Sequence, residues 1–198
     1  MTVDRAKNLP LRGDVEIENL AFQAVEVGNY QEARLLLEPL IDRESEYALM
    51  TLGWMHENGK SVPVDIKLAE SLYRRAIGNG CLEAYYCLGS VLCKEGELVE
   101  ARNAYMEGAK LGNLGSMTWL GAMMVWEQGG PKDIENGKLW LTAAAKSGHF
   151  YAKALLLTLE RENSKSIFRH YIFFLKRMLL GLRAGKEYYA NPYSEKVF

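Results

Sequence analysis

Histidine often supplies acid–base catalysis or a metal ligand near neutral pH, and this chain has three. They lie far apart in sequence, at His56, His149 and His170, and no HxxxH or HExxH pattern joins them. No GxSxG motif and no phosphate-binding loop occurs either. His56 is predicted to belong to the core or to the wall of a groove. The histidines therefore indicate neither a catalytic base nor a metal ligand.

The cysteines Cys81, Cys87 and Cys93 stand six residues apart, which matches neither a CxxC pair nor a zinc-finger spacing. They are predicted to be small buried hydrophobic residues. The segment EQGGPKD (127–133) has two glycines and a lysine, but it is predicted to be a loop between two helices. We therefore predict no catalytic residue, no metal, no cofactor and no enzyme.

The composition is that of a globular protein, with 48% hydrophobic and 25% charged residues in 198. The N-terminal segment has no apolar stretch of the signal-peptide type, which predicts a cytoplasmic protein. The net charge of −1 predicts no nucleic-acid partner. Charge is uneven, however, because residues 161–198 contain eight Lys/Arg against three acids.

A Leu-Gly step recurs at intervals of 36 and 32 residues, at Leu52-Gly53, Leu88-Gly89 and Leu120-Gly121. Apolar residues around each step follow a three- and four-residue spacing, which predicts helices. Asp65 and Asp133 each lie twelve residues after a glycine of the step and are predicted to cap a second helix. The glycine of each step is predicted to let two helix backbones approach closely. Each unit is a helix–loop–helix that buries its apolar face only by stacking on its neighbours.

The Leu-Gly step, the loop VPVD (62–65) and the segment KLAESLYRRAIGNG (67–80) resemble the Sel-one-like repeat family, a relative of the tetratricopeptide repeat. In the copy at 116–148, Glu127 stands where the family has a loop glycine. The resemblance implies an all-α, right-handed α/α superhelix (solenoid) of about four to five helix-pair repeats over residues 1–163. It also implies a non-catalytic scaffold that holds a partner protein or peptide.

The first helices of such pairs line the concave groove, and the resemblance together with helical spacing predicts which residues face it. These are Tyr47, Met50, Trp54, Glu57, Tyr86, Ser90, Thr118, Val125 and Trp126. Tryptophan and tyrosine are favoured as binding anchors, although aromatic residues at helical spacing also build cores.

Residues 164–198 are predicted to form a basic apolar helix followed by an irregular tail. Its docking side chains would be Lys165, Arg169, Phe174, Lys176, Arg177 and Arg183. Three interpretations stay open: a helix that caps the solenoid, an in-plane membrane helix, and a docking helix for a partner or for a second copy of the chain.

The sequence thus predicts a cytoplasmic adaptor that binds another protein through the concave groove. One alternative is an accessory component at the inner face of a membrane, recruited by residues 164–183. Another is a dedicated inhibitor of one enzyme. Homo-oligomerisation through the C-terminal helix also stays open.

Overall fold

The computed structural model describes residues 12–162, which form nine α-helices, one 3₁₀ helix and no strand. Along the described chain the elements are α1 (Arg12–Glu26), α2 (Tyr30–Leu37), the 3₁₀ helix (Glu38–Leu40), α3 (Glu46–Asn58), α4 (Ile66–Gly78), α5 (Glu83–Glu95), α6 (Leu98–Lys110), α7 (Leu114–Val125), α8 (Ile134–Lys146) and α9 (Phe150–Glu162). The predicted all-α class is confirmed.

The chain divides into two compact units, Met1–Gly96 and Glu97–Phe198, of which residues 12–96 and 97–162 are described. In the first unit, α1 packs on α2, α3 on α4, and α4 on α5. In the second, α6 packs on α7, α7 on α8, and α8 on α9. Packing between consecutive helices is typical of helical repeats. The predicted boundary after residue 163 lies outside the described residues.

Two aspartates start the second helices of the best-preserved repeat copies. The Asp65 carboxylate accepts a hydrogen bond from the Leu68 backbone N–H at 2.9 Å, at the beginning of α4. Asp133 accepts one from the Asn136 backbone N–H at 3.0 Å, at the beginning of α8. Each bond satisfies a donor that has no partner within the helix, so the predicted capping role is confirmed.

The glycines of the Leu-Gly step stand where two helices touch. A Cβ added to Gly121 of α7 would lie 2.7 Å from the carbonyl oxygen of Gly137 in α8. In the first unit, a Cβ on Gly53 would lie 2.7 Å from the buried Tyr73 ring. The predicted role of these glycines in close helix packing is therefore confirmed.

Glu127 occupies a backbone position that favours glycine. Its φ is 57°, close to the 65° of Gly59, which stands at the same place after the Leu-Gly step of the preceding long-looped copy. The left-handed region costs a residue with a Cβ about 1–2 kcal/mol. We expect Glu127→Gly to stabilise the protein by about 1 kcal/mol, because it removes that strain. The gain is smaller than the full strain energy, because glycine gives the unfolded chain more conformational entropy.

Thermal unfolding of Glu127→Gly beside the wild type would check this expectation. Lys132→Gly is the matched control, because it puts a glycine into the same loop at a residue without positive φ. We expect the control to lower the melting temperature slightly. If the melting temperature of Lys132→Gly rose as much as that of Glu127→Gly, the strain argument would be contradicted.

Candidate functional site

The described histidines and cysteines do not assemble a catalytic constellation. His149 is fully buried, and its Nδ1 lies 2.9 Å from the Thr118 hydroxyl oxygen. His56 is partly buried in α3, and His170 lies outside the described residues. Cys81 is buried as predicted, whereas Cys87 and Cys93 are partly buried, and none of the three forms a disulfide. The burial of the described histidines and cysteines is consistent with roles in packing.

One group of potential metal ligands escaped the sequence interpretation. Glu46, Cys81 and Glu83 bring one ligand atom each to within 4.8 Å of one another. Glu46 and Glu83 are the first residues of α3 and α5, so the repeat itself places them side by side. Burial raises the pKa of the Cys81 thiol to about 12, and the nearby Glu46 carboxylate adds to the rise. The thiol is therefore neutral near pH 7, the form that binds metals poorly.

The EQGGPKD loop packs on α6 of its own unit. The Arg102 guanidinium, which is buried, donates hydrogen bonds to the Pro131 carbonyl at 3.1 Å and to the Gln128 carbonyl at 3.5 Å. A Cβ on Gly129 would overlap the carbonyl oxygen of Leu98. The glycines of this loop therefore serve its close approach to α6.

A row of large side chains lies along α3, and we call Tyr47, Met50 and Trp54 the α3 face. All three are partly buried and pack against the core of the first unit while keeping part of their surface exposed. The Trp54 ring lies 5.7 Å from the Tyr30 ring, in a tilted aromatic pair. Burial raises the pKa of the Tyr47 hydroxyl. The α3 face is thus largely apolar, supported by the core and partly exposed.

Glu57 lies one turn beyond Trp54 and makes polar contacts with two other helices, α4 and α5. Its Oε2 accepts a hydrogen bond from the Tyr73 hydroxyl of α4 at 2.8 Å. Its Oε1 lies 2.7 Å from the Lys94 ammonium nitrogen and 3.5 Å from the Ser90 hydroxyl oxygen, both on α5. Burial raises the pKa of the Tyr73 hydroxyl far above its ordinary value, so the phenol stays a neutral donor.

The predicted residues on α5, Tyr86 and Ser90, are partly buried. Ser90 belongs to the same first unit as the α3 face and reaches Glu57. Two of the predicted groove residues, Ser90 of α5 and Glu57 of α3, therefore contact each other. The spacing of the repeat had indicated that these residues share a side, but not that Lys94 and Tyr73 would engage Glu57.

In the second unit, the expectation that Thr118 and Val125 line an open groove is wrong. Thr118 is 0% exposed and contacts His149, and Val125 is 3% exposed and packs with Leu141 in the core. The reason is that α7 packs on α6, α8 and α9, so most of its circumference is buried. Trp126, at the end of α7, is 38% exposed and keeps the accessibility that a contact residue needs.

The predicted docking residues of the C-terminal segment, Lys165 to Arg183, lie outside the described residues. Among residues 12–162, no helix is both long and apolar enough to cross a membrane.

Comparison with known proteins identifies the repeat. The Sel1 repeat family model matches residues 47–81 and 114–149. These segments cover α4, α7 and α8 in full and all of α3 except its first residue, and these are the two pairs that carry the aspartate caps. No curated protein matches the chain.

Solved structures share the fold. A Sel1 repeat protein from Oxalobacter formigenes superposes with a TM-score of 0.65 at 24% identity, over 71% of this chain and 59% of its own. A protective antigen of uropathogenic Escherichia coli with an SLR fold gives 0.66 at 16% identity, over 93% of this chain and 41% of its own. A Pseudomonas aeruginosa protein gives 0.60 at 18% identity, over 88% and 69%. The chain thus spans about three fifths and two fifths of the length of the first two. At these identities the similarity establishes the helical-repeat solenoid fold.

Proposed function

Because this chain carries Sel1 repeats within an all-α helical-repeat fold, we propose that it is a non-catalytic adaptor that binds a partner protein through the α3 face. Sel1 repeat proteins generally mediate protein–protein interactions. Their helices form an extended surface, and specificity comes from the side chains that the packing does not require.

The α3 face is the observation that carries this proposal. Met50 and Trp54 are large apolar side chains that pack against the core and stay partly exposed. Both side chains contact the core, and the Trp54 ring also packs against the Tyr30 ring, so binding would cost little side-chain entropy. Partly exposed aromatic residues on a rigid base are typical anchors of protein interfaces.

Trp126 is exposed, which supports a role for it as a second contact residue for the partner, in the second unit. Tyr86 of α5 supports an extension of the surface in the first unit. Thr118 and Val125 are not part of the proposed surface because they are buried.

We expect the double variant Trp54→Ala/Tyr86→Ala to lose most partner binding, because truncating one aromatic anchor commonly costs 2 kcal/mol or more, about thirtyfold in affinity. Affinity capture from the source cell, with quantitative mass spectrometry of the recovered proteins, would measure the loss. A partner enriched by the wild type is expected to fall to background with the double variant.

Leu35→Ala is the matched control, because Leu35 of α2 is an exposed apolar side chain that does not belong to the α3 face. We expect this control to recover the partner as the wild type does. Equal recovery by the double variant, with its fold verified by circular dichroism, would refute the assignment of the surface.

A further inference from the structure

We propose that Glu57 is the acceptor for an arginine or lysine side chain of the partner segment, and that Lys94 occupies this acceptor in the free protein. The inference rests on the proposed function and adds the chemistry of the partner. The partner would be a peptide segment that carries a basic side chain next to the apolar residues that contact the α3 face.

The Glu57 carboxylate is prepared for a cation. Its side chain is only 9% exposed, and the Tyr73 hydroxyl fixes its Oε2 at 2.8 Å. Tyr73 is itself fully buried, so it holds the carboxylate in one orientation. A carboxylate that is already desolvated and oriented binds a cation more strongly than a hydrated carboxylate, which must first lose its bound water.

Lys94 is an exchangeable occupant of this acceptor. Its ammonium lies 2.7 Å from Glu57 Oε1, but 46% of its side chain is exposed. Because 46% of the Lys94 side chain is exposed, its ammonium can move into water as an incoming cation takes its place, so the desolvated Glu57 carboxylate keeps a positively charged partner. An incoming guanidinium has a planar fork that suits a carboxylate better than a lysine ammonium does.

The position of the acceptor links the basic group to the apolar anchor. Glu57 and Trp54 are three residues apart on α3 and are neighbours on the helix surface. Ser90 of α5, whose hydroxyl oxygen lies 3.5 Å from Glu57 Oε1, offers a further polar group beside it. A partner side chain that reaches Glu57 would therefore have apolar neighbours at Trp54.

The charge of the first unit favours the same partner. Residues 12–96 contain fourteen Asp/Glu against eight Lys/Arg. A negative surface attracts basic segments and disfavours acidic ones, which affects both the association rate and the choice of partner.

A random 12-residue peptide library displayed on phage and selected against the full-length protein would test the proposal. We expect the enriched peptides to carry Arg or Lys next to an aromatic or aliphatic residue. Fluorescence polarisation of a labelled enriched peptide then gives its Kd for each variant. Glu57→Gln is expected to weaken binding about tenfold or more, because a charge-assisted hydrogen bond is lost. Lys94→Gln is expected to tighten it about two- to fivefold, because the internal competitor is removed.

Glu95→Gln is the matched control, because it removes one negative charge from the same helix as Lys94, and Glu95 pairs with Lys67 instead. We expect this control to change Kd by less than about twofold. If Glu57→Gln does not fold, Lys94→Gln decides, since unchanged or weaker binding would overturn the proposal.

The outcomes separate this inference from the proposed function. Enriched peptides without a basic residue, or equal binding to Glu57→Gln, overturn the inference. If those peptides still lose binding to Trp54→Ala, the proposed function stands. If no peptide is enriched, the inference is overturned as well, and if Trp54→Ala has no effect on peptide binding, the proposed function is contradicted.

Discussion

Replacing Gly121 with valine is expected to destabilise the second unit by about 3 kcal/mol or more, the upper part of the range for overpacked cores. Even the first carbon of the new side chain would lie 2.7 Å from the Gly137 carbonyl oxygen and 2.9 Å from Leu141. The nearest obstacle is backbone, and it belongs to a helix, so α7 and α8 would have to separate. For a chain of this size the melting temperature should fall by about 10 °C.

Gly78→Ala is the control for this prediction, since Gly78 is the last residue of α4 and an added Cβ would meet nothing within 4 Å. It should be neutral or stabilising by a few tenths of a kcal/mol, because alanine favours helix more than glycine does. Differential scanning calorimetry of both variants would measure the contrast. Equal melting temperatures for Gly121→Val and the wild type would show that the two helices do not cross closely at Gly121.

Gly129→Ala is expected to cost about 2–4 kcal/mol, from backbone strain and overpacking together. Gly129 has a φ of 66°, and its added Cβ would overlap the carbonyl oxygen of Leu98. The loop would have to lift from α6, which would also weaken the hydrogen bonds that Arg102 donates to the loop carbonyls.

Gly112→Ala isolates the strain from the overlap, because Gly112 has a φ of 97° and open space around its added Cβ. It should lose only the strain energy, about 1–2 kcal/mol. Urea unfolding of both variants would give the two free energies of unfolding. A loss in Gly129→Ala no larger than that in Gly112→Ala would contradict the packing of this loop on α6.

The repeat architecture could be predicted because it depends on short-range patterns. The Leu-Gly steps placed Gly53 and Gly121 at helix contacts, and the aspartates at fixed distance after them cap α4 and α8. Both features follow from helix geometry and backbone hydrogen bonding, which a sequence pattern expresses directly.

The candidate site could be predicted only in part, because exposure depends on what packs around a helix. Thr118 lies at a position that would face a groove on a helix with one free side, but α7 is enclosed by its neighbours. The absence of any charged residue from the α7 sequence is the signal that could have indicated this. The ion pair of Glu57 with Lys94, 37 residues away, depends on how α3 and α5 lie against α4, which no local pattern encodes.

Site-specific photo-crosslinking in the source cell tests the central claim most directly. A photoreactive amino acid in place of Met50, on the α3 face, is expected to form a covalent adduct with one partner protein, and Trp54→Ala in the same chain should abolish it. The same photoreactive residue in place of Leu139, which is 67% exposed on α8, should give no such adduct. An adduct at position 139 but not at position 50, or the same adducts at both, would contradict binding through the α3 face.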